Sequence, residues 1–189
     1  TTRSSPASRA SPEPQNVREA ADADRIRHLA RELGRVVPPG TRMYLTGGAT
    51  AVLEGWRETT VDIDVRLEPD SDAALTTIRD LKEQLSLNVE LASPLDFLPP
   101  LDGWQERSRF RFREGNLEVF DFDPYSQALS KLERGFDLDL EDVRSMVRSG
   151  RVDPKKLVDL FATVEPELFR FPAVDPPRLR TAVEALAGS

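Results

Sequence analysis

A pair of glycines followed closely by two aspartates in an apolar strand is the feature that most constrains the fold of this chain. Gly47 and Gly48 end one short apolar run, and Asp62 and Asp64 alternate with β-branched residues in the next. Glycines at a joint between a strand and a helix let phosphate oxygens approach backbone N–H groups. The pattern predicts a strand, helix and strand that together bind a phosphate-bearing ligand.

The two aspartates predict a metal site. In a strand, Asp62 and Asp64 project from the same face, roughly 6 to 7 Å apart. Carboxylate oxygens suit Mg²⁺, and two such ions about 4 Å apart can bind the phosphates of a nucleotide. The alternative is that both acids are solvated on an edge strand, since a lone Asp-x-Asp is common.

A third acid occurs on a later predicted strand. Asp121 lies between Phe120 and Phe122, where an aspartate is disfavoured unless it is solvated, paired or bound to metal. Asp123 is the alternative, although its place before Pro124 suits a turn or a helix cap better. We predict that Asp121 completes the metal-binding set, and we add the hypothesis that it acts as a general base.

Composition excludes several kinds of chemistry. The chain of 189 residues has a net charge of −7, no cysteine and one histidine, His28. Disulfides and thiolate metal sites are therefore absent, and a single histidine leaves little scope for catalysis by imidazole. No apolar run is long enough to cross a bilayer, and the first residues lack the pattern of a secretory signal, so we expect a cytoplasmic protein without a membrane role.

Periodicity predicts an α/β (α+β) fold with a C-terminal helical lobe. Residues 1–15, rich in Ser, Pro, Ala and Arg, are predicted to be a disordered tail. Residues 16–124 are predicted to form a mixed-sheet domain, and residues 125–189 an all-helical lobe. Strands are predicted at residues 43–45, 59–67, 88–91, 107–113 and 117–122, and helices at 16–34, 49–56, 72–85, 125–133, 140–148, 154–164 and 177–187.

Arginines recur at every second position of one predicted strand, namely Arg107, Arg109, Arg111 and Arg113. In a regular strand all four would share one face, with Phe110 and Phe112 on the other. Such a cationic stripe suits contacts with RNA phosphates. The alternative is an edge strand whose charges pair with nearby glutamates and deter aggregation.

Taken together, these motifs resemble the DNA polymerase β-like nucleotidyltransferase superfamily, and within it the AbiEii/MenT-type nucleotidyltransferase toxins of toxin–antitoxin systems. The resemblance covers residues 43–142. It is carried by Gly47-Gly48, Arg57, Thr60, Asp62-Ile63-Asp64, Asp121, Lys131 and the stretch Asp139-Leu140-Glu141-Asp142.

The resemblance implies an Mg²⁺-dependent enzyme that moves a nucleoside monophosphate from a nucleoside triphosphate to the 3′ end of tRNA, where it blocks aminoacylation. A cognate antitoxin protein is implied as a partner. The resemblance also implies roles for single residues: metal binding by Asp62, Asp64 and Asp121, phosphate contact by Gly47 and Gly48, and nucleotide contact by Arg57 and Lys131.

Simpler interpretations of the supporting residues stay open. Lys131 can be a solvated helix lysine, and Arg57 can pair with Glu54 or Glu58. Asp139 and Asp142 can simply begin a helix, where acids favour the macrodipole.

Two other functions also stay open. The enzyme can modify a small molecule such as an aminoglycoside, or a protein, or the fold can be an inert module that binds a nucleotide or a partner. One regulatory hypothesis concerns Thr60, which should share the face of Asp62. A phosphate there would bring a charge of about −1.5 to −2 beside the acids and disable the site.

Overall fold

The computed structural model describes residues 19–188, so the predicted tail at residues 1–15 lies outside the described part. The strands are β1 (Thr41–Thr46), β2 (Asp62–Glu68), β3 (Asn88–Leu91), β4 (Arg109–Glu114) and β5 (Leu117–Asp121). The helices are α1 (Ala23–Gly34), α2 (Gly47–Leu53), α3 (Asp72–Gln84), α4 (Trp104–Arg107), α5 (Pro124–Arg134), α6 (Asp137–Arg148), α7 (Pro154–Val164) and α8 (Pro176–Ala187). Every predicted strand and helix has a counterpart, although α1 begins at Ala23 rather than at residue 16, and α4 is an addition.

The five strands form one mixed sheet in the order β3-β2-β1-β5-β4. The central strand β1 pairs antiparallel with β2 and parallel with β5, whereas β3 is parallel to β2 and β4 is antiparallel to β5. This mixed pairing, with helices before, between and after the strands, confirms the α+β fold class.

One side of the sheet is covered by α1, α2 and α3, whose apolar residues meet those of the strands. Ile26 and Leu33 of α1, for example, belong to the same fully buried cluster as Ile63 and Val65 of β2. Since Ile63 and Val65 are buried while their neighbours are not, β2 turns its even-numbered positions away from this core.

The other side of the sheet carries an aromatic cluster. Tyr44 of β1 and Phe122, just after β5, pack with Trp104 of α4. The Trp104 and Phe122 rings are stacked, with centroids 4.5 Å apart and an interplanar angle of 6°. The short helix α4 is thus fixed to the sheet by packing, which its polar sequence did not predict.

The hairpin between β4 and β5 turns at Gly115. Its φ of 56° is in the left-handed region that favours glycine. The end of α1 comes so close that a Cβ on Gly34 would lie 1.9 Å from the Glu114 carbonyl oxygen. Two glycines therefore join the first helix to the far edge of the sheet.

The last four helices pack around a second apolar cluster that includes Leu129, Leu157, Phe161 and Leu179. Three of them begin alike, with an aspartate capping a helix whose first residue is proline: Asp123 for α5, Asp153 for α7 and Asp175 for α8. Leu98 and Leu101 also pack in this cluster. The division of the chain at residue 124 stays a prediction.

Candidate active site

The glycine pair joins β1 directly to α2, without a loop. Gly47 has a φ of 60°, and a Cβ on it would lie 2.8 Å from Oδ2 of Asp64. A Cβ on Gly48 would lie 2.0 Å from Oγ1 of Thr60. Both glycines are thus required for α2 to begin against β2. The Gly47 N–H already donates to Oε1 of Gln127, at 3.0 Å, so a phosphate could accept from it only by displacing that side chain.

Asp62 and Asp64 share one face of β2, as predicted, and β3 adds a third carboxylate beside them. The parallel pairing places Asn88 opposite Asp62 and Glu90 opposite Asp64. The Asn88 amide donates to Oδ1 of Asp62 at 2.6 Å and to Oε1 of Glu90 at 3.1 Å. Asn88 therefore holds two of the three acids in a fixed arrangement.

None of these three acids forms an ion pair within residues 19–188, although the charges of Arg134 and Lys131 act on Asp64 and tend to lower its pKa. Within residues 19–188 the nearest cations pair elsewhere, Lys131 and Arg57 with Asp142 and Arg134 with Asp139. Burial raises the pKa of Asp64 from 3.8 to about 6, and the charges of Glu90 and Asp62 add to the effect. The face therefore carries crowded negative charge.

Such a face fits magnesium only together with a substrate. Among residues 19–188, no group of three or more His, Cys, Asp or Glu side chains is placed to hold a metal ion by itself. Mg²⁺ is commonly bound by one or two carboxylates plus substrate phosphates and water. Asp62, Asp64 and Glu90 supply the hard oxygen ligands of such a shared site.

Opposite this face, a buried lysine joins α5 to α6. Lys131 is 4% exposed. Its Nζ lies 2.6 Å from Oδ2 of Asp142 and 3.4 Å from Oδ1 of Asp139. The interpretation of Lys131 as a solvated helix lysine is therefore wrong, and Asp139 and Asp142 do more than begin a helix.

Two arginines complete this basic cluster. Arg57 donates to Asp142 at 2.6 Å, and Arg134 donates to Asp139 at 2.6 Å. Arg57 thus pairs with neither Glu54 nor Glu58. Lys131, Arg57 and Arg134 are each fixed by a buried acid, so their positions are set before any ligand binds.

The acidic face and the basic cluster line one cleft with two arms. The Phe136 arm, about 330 Å³, is lined by Gly48, Arg57, Asp62, Phe136 and Leu138 among others. The Phe97 arm, about 140 Å³, is lined by Glu90, Ser93, Phe97, Gln127 and Ser130 among others. Gly47, Asp64, Lys131 and Arg134 line both arms.

Asp121 lies away from this cleft. Leu45 of β1 pairs with both Val65 and Asp121, so Asp121 points to the core side of the sheet, whereas Asp64 pairs with Thr46 and points to the other side. The structure therefore does not bring Asp121 together with Asp62 and Asp64. The expectation that it completes their metal site or acts as their general base is not met by this geometry.

Asp121 belongs instead to a buried ionic group, which we call the closed cluster: Glu54, Arg111, Asp121 and Arg151. Arg111 contacts Oε1 of Glu54 at 2.6 Å and Oδ2 of Asp121 at 3.4 Å. Arg151 also pairs with Glu54, and its Nη1 lies 3.7 Å from Oδ2 of Asp121. Burial raises the pKa of Asp121 to about 7, although the charge of Arg111 opposes this.

The four arginines do not form one stripe. Arg107 ends α4, outside the strand, and donates to both oxygens of Asp123 at 2.9 and 3.0 Å. A register irregularity lies between Phe110 and Phe112, which pair with Phe120 and Val119 on opposite faces of the sheet. The predicted common face for Phe110 and Phe112 is therefore wrong.

The pairing also separates the other arginines. Arg109 lies opposite Asp121 and Arg113 lies opposite Glu118. Because Glu118 and Asp121 are an odd number of positions apart in β5, their partners lie on different faces of the sheet. Arg111 is in the closed cluster, and Arg113 pairs with Glu118. Arg109 is exposed and has only a long ion pair, 3.7 Å to Glu54. The geometry therefore does not support RNA binding by a stripe of these four arginines.

Thr60 lies at the cleft, as predicted, but it is 9% exposed. Its hydroxyl donates to the Asp62 carbonyl oxygen at 3.0 Å. Phosphorylation would therefore require the segment before β2 to open. Asp123, the alternative third acid, is fully buried and caps α5.

Sequence reasoning missed Glu90, Gln127 and Arg134. Alternation within residues 88–91 puts Asn88 and Glu90 on one face, but their place beside Asp62 and Asp64 depends on a parallel pairing that alternation does not reveal. Arg134 follows Lys131 by three residues on α5 and so shares its face, which is a readable signal. Gln127 is a polar residue in the buried part of a helix.

A glycine pair and two strand acids facing a basic cluster across a cleft are typical of enzymes that transfer nucleotides. The chain belongs to a family of nucleotidyltransferases of unknown function, DUF6036, whose model matches residues 24–169. No curated protein and no solved structure matches the chain. Within residues 19–188, no helix has the length and apolar character needed to cross a membrane.

Proposed function

We propose that this nucleotidyltransferase moves a nucleoside monophosphate from a nucleoside triphosphate to the 3′ end of tRNA, with Mg²⁺, and that it acts as a toxin by blocking aminoacylation. One observation supports it most. Three carboxylates that form no ion pair within residues 19–188, Asp62, Asp64 and Glu90, line the same cleft as three fixed cations.

In the proposed reaction, a ribose hydroxyl oxygen of the acceptor attacks the α-phosphorus of the nucleoside triphosphate. The bond from the α-phosphorus to the oxygen that bridges to the β-phosphorus breaks. Pyrophosphate leaves with that oxygen, and the hydroxyl proton passes to solvent. The products are an acceptor longer by one nucleotide and pyrophosphate.

Magnesium would be held by Asp62, Asp64 and Glu90. Bound there, it supplies activation of the attacking hydroxyl and neutralisation of the leaving group. Asn88 keeps Asp62 and Glu90 in place through its two hydrogen bonds. The raised pKa of Asp64 supports this proposal, because burial and then the charges of Glu90 and Asp62 raise it, and a bound divalent cation would oppose these effects.

The basic cluster would bind the triphosphate. Lys131 and Arg57 both contact Asp142, and Arg134 contacts Asp139, so the three cations are held at the cleft wall rather than free to turn away. Fixed cations that contact developing negative charge need no reorganisation during the reaction. Lys131, with a single charged nitrogen, acts as a point charge on the phosphates.

The tRNA acceptor and the toxin role rest on the resemblance, together with membership of a nucleotidyltransferase family. An aminoglycoside-like acceptor is the second candidate, and the acids of the cleft are the observation that favours it. A cognate antitoxin protein is part of the proposal on the same ground. Phosphorylation of Thr60 would disable the enzyme by placing negative charge next to Asp62.

The test is to incubate the protein with Mg²⁺, each α-labelled nucleoside triphosphate in turn, and total tRNA, and then to sequence RNA 3′ ends. We expect added nucleotides at tRNA 3′ ends, and none when Mg²⁺ is chelated. A parallel reaction replaces tRNA with aminoglycosides. Label on the aminoglycoside alone would contradict the tRNA acceptor, and label on neither would contradict the enzyme proposal.

A further inference from the structure

The two arms of the cleft share a property that the proposed reaction leaves unused: each carries an exposed phenylalanine. Phe136 is 68% exposed and Phe97 is 56% exposed. A single exposed apolar residue is ordinary. Here, however, both rings line the same cleft, one in each arm, beside the residues that both arms share.

We infer, on the basis of the proposed function, that the cleft binds two nucleobases, with the base of the nucleoside triphosphate on Phe136 and the terminal base of a single-stranded RNA acceptor on Phe97. Every nucleobase has a π face, so stacking on an aromatic ring binds bases with little sequence preference. Single-stranded RNA ends offer unstacked bases of this kind.

The charged residues that line each arm indicate which substrate it binds. Arg57 lines the Phe136 arm but not the Phe97 arm, and together with the shared Lys131 and Arg134 it gives that arm three cations. Acids equal cations in number in both arms, three and three in the Phe136 arm and two and two in the Phe97 arm, so the assignment rests on the number of cations that can contact a triphosphate directly. The Phe136 arm is also the larger, at about 330 Å³.

The Phe97 arm has a different chemistry. Ser93, Ser130 and Gln127 line it. Gln127 is already hydrogen-bonded to Gly47 and Phe122, and Ser93 to Asp96, so the match to a terminal ribose rests on the Ser130 hydroxyl. Lys131 and Arg134 offset the acids Asp64 and Glu90 of the same arm, so its lining gives a polycationic amino sugar no net attraction.

The geometry also places the two substrates for reaction. Asp64 and Lys131 line both arms, so a triphosphate entering from one arm and a ribose hydroxyl entering from the other meet at the acids. A base stacked on the aromatic ring of each arm would help to hold the α-phosphorus and the ribose hydroxyl in position to react.

Phe136 and Phe97 can be substituted without disturbing the core. Phe136 precedes α6, and its side chain makes no capping hydrogen bond. Phe97 follows a short 3₁₀ helix at Pro94–Asp96. Phe169, 82% exposed and outside both arms, is a matched control.

The experiment measures KM for each substrate, at saturating levels of the other, in Phe136→Ala, Phe97→Ala and Phe169→Ala. We expect Phe136→Ala to raise the KM for the nucleoside triphosphate about 5- to 100-fold and Phe97→Ala to raise the KM for RNA by a similar factor. Each should leave the other KM within twofold, as Phe169→Ala should leave both. The Phe136→Trp and Phe97→Trp variants, which keep an aromatic face, should stay near wild type.

The inference is overturned if both alanine variants keep both KM values within twofold, or if either raises only the KM of the other arm's substrate. Failure of the proposed function is a separate result, because the wild type would then transfer nothing to RNA. In that case equilibrium binding of Mg²⁺-nucleoside triphosphate still tests Phe136. Equal affinities of the wild type and Phe136→Ala would overturn the inference.

Discussion

The two sides of the central sheet each carry a group of charged residues, and the groups differ in how their acids are neutralised. On the core side, Glu54 and Asp121 are enclosed with Arg111 and Arg151. On the cleft side, Asp62, Asp64 and Glu90 are adjacent to one another, while the nearest cations pair with Asp139 and Asp142.

The comparison separates a structural role from a functional one. Buried charges are costly unless they are paired. In the closed cluster both arginines pair with Glu54 and lie near Asp121, whose two oxygens accept no hydrogen bond and whose pKa is raised to about 7. The three acids on the cleft side form no ion pair among residues 19–188, so the folded state holds repulsion there that a bound cation would remove. An aspartate within a strand is therefore informative about function only once its partners are known.

The largest effect is expected from Asp64→Asn. Transfer should fall at least ~10³-fold, because the variant would lose a proposed metal ligand, and the charge stabilisation that a metal supplies is worth several kcal/mol. The melting temperature without nucleotide should rise, since the substitution removes repulsion from Glu90 and Asp62. Initial rates and thermal unfolding check both parts.

Asp80→Asn is the control, because Asp80 is an exposed acid on α3 whose ion-pair partner is its exposed neighbour Arg79. It should change neither rate nor melting temperature. Retention of a tenth or more of the transfer rate by Asp64→Asn would contradict the assignment.

Arg151→Met should have the next largest effect, and on stability rather than chemistry. It leaves Glu54 and Asp121 with Arg111 and, for Glu54, the exposed Arg109 at 3.7 Å, so the free energy of unfolding should fall by about 3 kcal/mol. Urea titration measures this. Arg109→Met is the matched case, since Arg109 is exposed and 3.7 Å from Glu54, and it should cost under about 0.5 kcal/mol. Equal losses for the two variants would show that the cluster is not closed.

Lys131→Met should lower kcat/KM for the nucleoside triphosphate about 10- to 100-fold, as expected for the loss of one fixed charge on the phosphates. The fold should survive, because Arg57 and Arg134 stay paired with Asp142 and Asp139. Steady-state kinetics with circular dichroism measures both properties. An unchanged kcat/KM would make Lys131 a purely structural residue.

The smallest effect on activity is expected from Asp121→Asn. This substitution should instead change how the stability of the protein depends on pH. With a pKa raised from 3.8 to about 7, Asp121 binds a proton in the folded state over a pH range where the unfolded chain does not. Stability therefore falls as pH rises through that window, and asparagine should make this slope shallower. Melting temperatures between pH 4 and pH 8 provide the test. A slope as steep as that of the wild type would contradict the assignment.

Much of the fold was predictable because local patterns decide it. The alternation in residues 62–68 and the apolar spacing of α1 and α3 directly predict which faces are buried. The helix α4 was missed because it depends on packing of Trp104 against Phe122, a contact between distant parts of the chain.

The site was predictable only in part, for the same reason. Asp62, Asp64 and Lys131 line the cleft as expected, since their motifs are local. Asp121 was expected at the site but lies away from it, whereas Glu90 was missed but lies beside Asp64. Pairing with β1 and β2, not local sequence, decides which face and which neighbour each acid has. The arginine stripe failed because one irregularity in β4 changes the face of every residue beyond it.

The most direct test of the central claim compares Asp64→Asn with Asp121→Asn in one assay, the addition of labelled nucleotide to tRNA 3′ ends at pH 8. If the cleft face carries the chemistry, Asp121→Asn transfers within threefold of the wild type, while Asp64→Asn transfers at least ~10³-fold more slowly. Loss of transfer in Asp121→Asn with retention in Asp64→Asn would contradict the account.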